Sequence, residues 1–137
     1  MREISYGLAG QAAYTAATTV TTGGTDILSI SDGGLTRKSQ LTVFVKCDLT
    51  SATNVKLRVL YSPDGGTTYI AIPIINEVTG VAGDTPIIID NTSYLISGST
   101  YGAVLDVPIS GCTNIKIKGT ATSASSTVTM WAFVRDN

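Results

Sequence analysis

Apolar and polar residues alternate along most of this chain with a period of two. Leu41, Val43, Val45 and Cys47 fall on one side of their run. Val55, Leu57, Val59 and Tyr61 do the same, with Lys56 and Arg58 on the other side. Ile115 and Ile117 oppose Lys116 and Lys118. That period is the mark of a strand with one face in a core and one in water. The pattern predicts strands near 26–31, 40–47, 54–62, 68–75, 86–90, 101–109, 113–119 and 126–135. Between them lie turn clusters such as Ser31-Asp32-Gly33-Gly34, Pro63-Asp64-Gly65-Gly66, Ser97-Gly98-Ser99 and Ser110-Gly111, whose residue types supply positive φ and local hydrogen bonds. Residues 1–25 carry no clear period, and the Thr run and Gly23-Gly24 argue for an extended N-terminal arm or an edge strand ahead of a domain spanning 26–137.

Two runs are apolar on both sides. Ile70, Ile72 and Ile74 oppose Tyr69 and Ala71; Val128, Met130, Ala132 and Val134 oppose Trp131 and Phe133. A strand of this kind is covered on both faces, and Trp131 and Phe133 become candidates for a subunit interface.

Eight such strands with turn signals and no helical period predict an all-β protein, an antiparallel two-sheet β-sandwich. The jelly roll is the expected arrangement and an immunoglobulin-like sandwich the alternative. Composition agrees: Thr and Ser make up 34 of 137 residues, and Glu occurs twice. The length suits one domain.

Charge narrows the function. The net charge is −1, from 9 basic and 10 acidic residues, which argues against a bulk nucleic-acid binder because such affinity rests on many phosphate contacts. Histidine is absent, which removes the usual general base and the commonest metal ligand. The acids fall mostly in or beside turns, so no catalytic residue, cofactor or metal site is expected. No apolar run approaches the roughly 18 residues of a membrane span, and Met1-Arg2-Glu3 does not begin a signal peptide. Cys47 and Cys112 are expected as reduced thiols.

The sharpest local motif is Ser62-Pro63-Asp64-Gly65-Gly66-Thr67-Thr68-Tyr69. It resembles the Asp-box known from sialidases, Ser-x-Asp-x-Gly-x-Thr-aromatic, with Tyr69 at the aromatic position. The physical reading is a structural hairpin built by Ser62, Asp64, Gly65, Gly66, Thr68 and Tyr69: the carboxylate accepts turn N–H groups, the glycines take positive φ, and the ring packs beneath. On this reading residues 57–72 form two paired strands.

Taken whole, the chain resembles small β-rich virion proteins of tailed bacteriophages, in particular head decoration (cement) proteins. The stretch Val59-Leu60-Tyr61-Ser62-Pro63-Asp64-Gly65-Gly66-Thr67-Thr68-Tyr69, the Thr/Ala/Gly-rich start from Gly7 to Gly24, the low charge and the missing His carry the resemblance. It implies a non-catalytic structural role, a homotrimer on a capsid surface, and the major capsid protein or another virion protein as partner, with synthesis in the host cytoplasm. Neither nucleic acid nor membrane is an expected partner. A glycan- or receptor-binding module, or a neck or tail protein, is the alternative. Lys56, Arg58, Lys116 and Lys118 are candidate docking residues: if their strands share a sheet, they form a basic stripe for an acidic patch on the partner.

Overall fold

The computed structural model describes residues 14–31, 35, 38–71, 74–75, 82–83 and 87–135, with the backbone alone for 74–75 and 82–83. The fold is all-β and antiparallel throughout. One sheet, here sheet A, runs in the order β1 (Tyr14–Val20), β12 (Ser126–Arg135), β3 (Gln40–Asp48), β10 (Thr100–Pro108), β9 (Tyr94–Ser97). Sheet B runs β2 (Thr25–Ile30), β11 (Asn114–Thr122), β4 (Asn54–Ser62). The far edge of β4 is shared between β5 (Ile70–Ala71) and β8 (Ile87–Ile89). A separate ribbon pairs β6 (Ile74–Ile75) with β7 (Ala82–Gly83).

The chain passes repeatedly between the sheets, and each long strand buries one face. In β12, Val128, Met130, Ala132 and Val134 point inward while Trp131 and Phe133 point out, half-buried. In β3, Leu41, Val43, Val45 and Cys47 are buried. Val55, Leu57 and Val59 of β4 and Ile115 and Ile117 of β11 face them from sheet B. Ile117 and Leu57 are fully buried, so each adds about 1.5–3 kcal/mol of transfer free energy relative to exposure.

Glycine is required at one core position. Gly119 lies on the inner face of β11, and an added Cβ there would sit 2.7 Å from Ile27 Cδ1 and 3.2 Å from Val20 Cγ1. The missing side chain lets β2 and the end of β1 close over β11.

Two expectations need correction. The strand expected over 68–75 is divided: β5 joins sheet B and β6 joins the ribbon. The paired strands expected over 57–72 exist only at Leu60–Ala71 and Tyr61–Ile70, because Val55, Lys56 and Leu57 pair with Ile89, Ile88 and Ile87 of β8. In the single chain Ile70 of the two-faced run 70–75 is 57% exposed, and Ile72 lies outside the described residues. Of the expected arm or edge strand, residues 14–20 form β1, an edge strand of sheet A, and residues 1–13 lie outside the described residues.

Candidate functional site

The Asp-box-like loop is held by its own side chains. Ser62 is buried; its Oγ donates to Asp64 Oδ1 at 2.9 Å and accepts the Gly66 N–H at 2.8 Å. The Thr68 N–H donates to Asp64 Oδ1 at 2.8 Å. The Gly65 N–H donates to Thr113 Oγ1 at 2.7 Å, which in turn donates to the Ser62 carbonyl at 3.1 Å. Gly65 and Gly66 take φ of 76° and 91°, where a side chain would be strained. Hydrogen bonds from Thr68, first from its backbone and then its hydroxyl, hold the Asp64 carboxyl below its usual range, with Ser62 adding to them. The carboxylate is committed to the turn. Tyr69, the aromatic of the motif, is half-buried with its hydroxyl beside Gly66, and it carries Lys116 Nζ over its ring at 4.3 Å.

The four basic residues do share a sheet face. β4 and β11 are neighbours, and Lys118 lies directly opposite Arg58, with Asp26 of β2 across its other side. Lys56 stands opposite Thr120 and next to the exposed Ile88. Lys116 is drawn aside: its Nζ lies 3.5 Å from Asp26 as well as over Tyr69. The outer face of sheet B therefore presents its positive charge mainly through Lys56 and Lys118, both exposed, with Arg58 between them.

The outer face of sheet A is chemically different. Trp131, Phe44 and Val104 stand directly opposite one another across β12, β3 and β10. Phe133 meets Phe44 edge-on, ring centroids 5.9 Å apart. Beyond Val104, Tyr94 and Ile96 of β9 complete a groove of about 410 Å³, floored by Gly102 and lined almost entirely by carbon, with Lys46 at its side. Sequence reasoning found Trp131 and Phe133 but not Phe44, Val104 or Ile96. Phe44 was legible as the one aromatic opposite the Val43–Val45 face. β9 was not, since Tyr94-Leu95-Ile96 shows no alternation.

Polar ties flank this apolar area. Asp106 accepts from Gln40 Nε2 at 2.7 Å and Thr42 Oγ1 at 2.9 Å, in that order of effect holding its carboxyl below the usual range. A second, smaller cavity of about 290 Å³ lies under Tyr61, Pro63, Ile70 and Cys112. Tyr61 Oη donates to the Pro108 carbonyl at 2.8 Å, joining the two sheets, and burial raises its pKa.

Both cysteines are free thiols. Burial pushes both upward in pKa. Ser126 Oγ donates to the Asp48 carbonyl at 2.5 Å, which leaves its oxygen to accept from the Cys47 thiol at 3.3 Å. Among the described residues no three His, Cys, Asp or Glu side chains gather as a metal site.

No protein-family model matches the chain, and no curated protein matches it. Several solved structures do. One is the K1 cleaved adhesin domain of Lys-gingipain from Porphyromonas gingivalis W83, with 11% identity over 98% of this chain and 83% of that one, at a TM-score of 0.50. A chain of the Bacillus endospore appendages, a family of disulfide-linked pili, shares 12% identity over 99% of this chain and 87% of its own, at 0.48. The capsid of Helicobacter pylori bacteriophage KHP30 gives 11% identity, 97% and 91% coverage, and 0.46. At these identities the likeness is one of fold.

Proposed function

We propose that this chain is a non-catalytic structural protein of a virus particle, a jelly-roll sandwich that decorates and stabilises a phage capsid. The observation that carries the reading is the pair of unlike outer faces. One sheet turns an aromatic row outward and the other a basic one, while the polar side chains of the Asp-box-like loop are spent on holding the backbone. A molecule whose two broad faces are built for contact, and whose most distinctive motif is consumed by its own turn, suits a shell component. The jelly-roll assignment draws on strand order: β1-β12-β3-β10 faces β2-β11-β4-β8, the pairing produced by two Greek keys.

In this reading Trp131 and Phe133, with Phe44 beside them, form the contact between copies in a homotrimer; the number three comes from the resemblance to decoration proteins. Lys56, Arg58, Lys116 and Lys118 face an acidic patch on the major capsid protein or another virion protein. Electrostatic docking acts on association rate and register, and apolar contact supplies most of the affinity. The protein then resides on the capsid surface.

A glycan-binding module is the competing reading, favoured by exposed aromatics on a sandwich. The groove beside Phe44 and Tyr94 weighs against it, because a sugar ring needs hydrogen-bond partners around its rim and the lining is almost wholly carbon. The test is titration onto undecorated capsids. The chain should bind in fixed copy number and raise the particle's heat resistance. Replacing Lys56, Arg58, Lys116 and Lys118 by Glu should slow binding and reverse its salt dependence, because salt then screens a repulsion. No binding to capsids, or binding to a glycan array instead, overturns the proposal.

A further inference from the structure

β9 is an edge strand without a charge or proline to guard it. It closes one end of sheet A, pairs on one side with β10, and has no partner on its other side among the described residues. Tyr94 is 78% exposed, Leu95 52% and Ile96 47%. Edge strands are ordinarily guarded by lysine, proline or inward-pointing charge, since their open N–H and C=O groups invite another strand. Here the fifteen residues from Asn91 to Leu105 contain neither a charge nor a proline. The opposite edge of the same sheet contrasts with it: β1 exposes only Thr15, Ala17 and Thr19.

The guard that is present is a register shift. Thr100 pairs with Ser97 and Tyr101 with Leu95, leaving Ile96 outside the ladder. That shift does not bury Ile96. It lays the side chain over Gly102, where an added Cβ would come within 3.0 Å of Ile96 Cδ1. Tyr94 and Ile96 thus share the outer face, while Leu95 points to the other side.

We infer that β9 is a self-pairing edge: a second copy of this chain adds its own β9 antiparallel to it about a twofold axis through Leu95. The occupant follows from self-complementarity. An antiparallel edge offers donors and acceptors in the order its own copy accepts them, and residues directly opposite lie on the same face. With the axis at Leu95, each Tyr94 stands against Ile96 of the other copy and the two Leu95 side chains meet. Aromatic against β-branched is a favourable cross-strand pair. No charge lies on the strand itself. The outer apolar row of sheet A then continues without interruption into the second copy.

The contact is small. Four residues a side fall well short of the roughly 800 Å² per partner that a free-standing dimer buries. In the free chain it is therefore a weak pair, which high protein concentration or a covalent link at the axis makes visible. The inference goes beyond the proposed capsid role, and it needs neither the trimer contact nor the basic face.

Leu95→Cys in the full chain tests it. Two such thiols meet at the axis, so oxidised glutathione should link them into a disulfide dimer about tenfold faster than the same change at Ile88, an equally solvent-facing position away from β9. The native chain, with Cys47 and Cys112, sets the baseline. Both variants should melt like the native protein, because both side chains are about half exposed. Leu95→Lys should lower the average mass in sedimentation at high concentration, while Phe133→Ser leaves the Leu95→Cys linkage intact and reports on the trimer contact alone. Linkage at Leu95 no faster than at Ile88, or a mass unaffected by Leu95→Lys, overturns the self-pairing edge.

Discussion

Replacing Ser62 by Ala separates a structural loop from a binding one. Ser62 is fully buried, and its hydroxyl both donates to Asp64 and accepts the Gly66 N–H at 2.8 Å. Alanine removes the acceptor and leaves that N–H unpaired in a half-buried turn. Leaving a buried donor unsatisfied costs about 1–3 kcal/mol, and partial access of water to Gly66 places the expected loss near the lower half, about 1–2 kcal/mol. For a domain of this size that corresponds to a fall in Tm of roughly 3–8 °C. Urea unfolding followed by the emission of Trp131, the one tryptophan, should show a lower midpoint and an unchanged slope. Thr113→Val provides the second arm. Thr113 holds the neighbouring Gly65 N–H and bonds the Ser62 carbonyl, so the double variant should lose less than the two single losses together. A Ser62→Ala loss under about 0.3 kcal/mol, or strict additivity with Thr113→Val, refutes the account of the loop as a mutually braced turn.

Gly119→Ala should destabilise by about 1–2 kcal/mol in the same assay, as overpacking against Ile27 and Val20 outweighs the backbone entropy an alanine saves; a more stable variant contradicts the close approach. The acid limb of stability should follow Asp48, Asp64, Asp90 and Asp106, each held below its usual range by hydrogen bonds. A carboxyl depressed in the folded state stabilises above its unfolded pKa of about 3.9 and loses that contribution as pH falls through the folded value. Stability should therefore be level through pH 5–7 with respect to these groups and drop below about pH 4, as thermal melts across that range would show. Thiol labelling at neutral pH should reach Cys112 before Cys47, and Cys47 only as fast as the chain opens, since Cys47 is fully buried and both thiols are raised in pKa.

The long strands were legible because each has a strict period of two over a buried face. Positions 40–47, 54–62, 101–109, 113–119 and 126–135 match β3, β4, β10, β11 and β12 within a few residues. What misled was pairing. Ile70, Ile72 and Ile74 look like one strand, but β4 gives three positions of its free edge to β8, a partner 25 residues downstream of its end, and the local turn reaches only two pairs. Periodicity reports which face is buried; it carries nothing about which neighbour wins an edge. The site divides in the same way. Alternation put Lys56 with Arg58 and Lys116 with Lys118, but that the pairs share a face comes from the pairing of β4 with β11, and the turning of Lys116 toward Asp26 and Tyr69 depends on a neighbour from β2 and a ring from a loop. The aromatic row was half legible, since Trp131 and Phe133 lie in one strand, whereas Phe44 and Val104 join it only through register.

The position of β12 sets a timetable. It is the last of the described strands in chain order, but it lies inside sheet A, between β1 and β3. While the chain is being made, β1 and β3 have no strand between them, and Val43, Val45 and Cys47 wait beside an open ladder. At about 5–20 residues per second, the interval from the end of β3 to the end of β12 lasts several seconds. Sheet A can close only after that, so the fold is completed once β12 has been made rather than along the way. A translational pause or a truncation upstream of Ser126 would leave the edge of β3 open to other chains, which makes the ribosome's speed over this gene part of the protein's solubility.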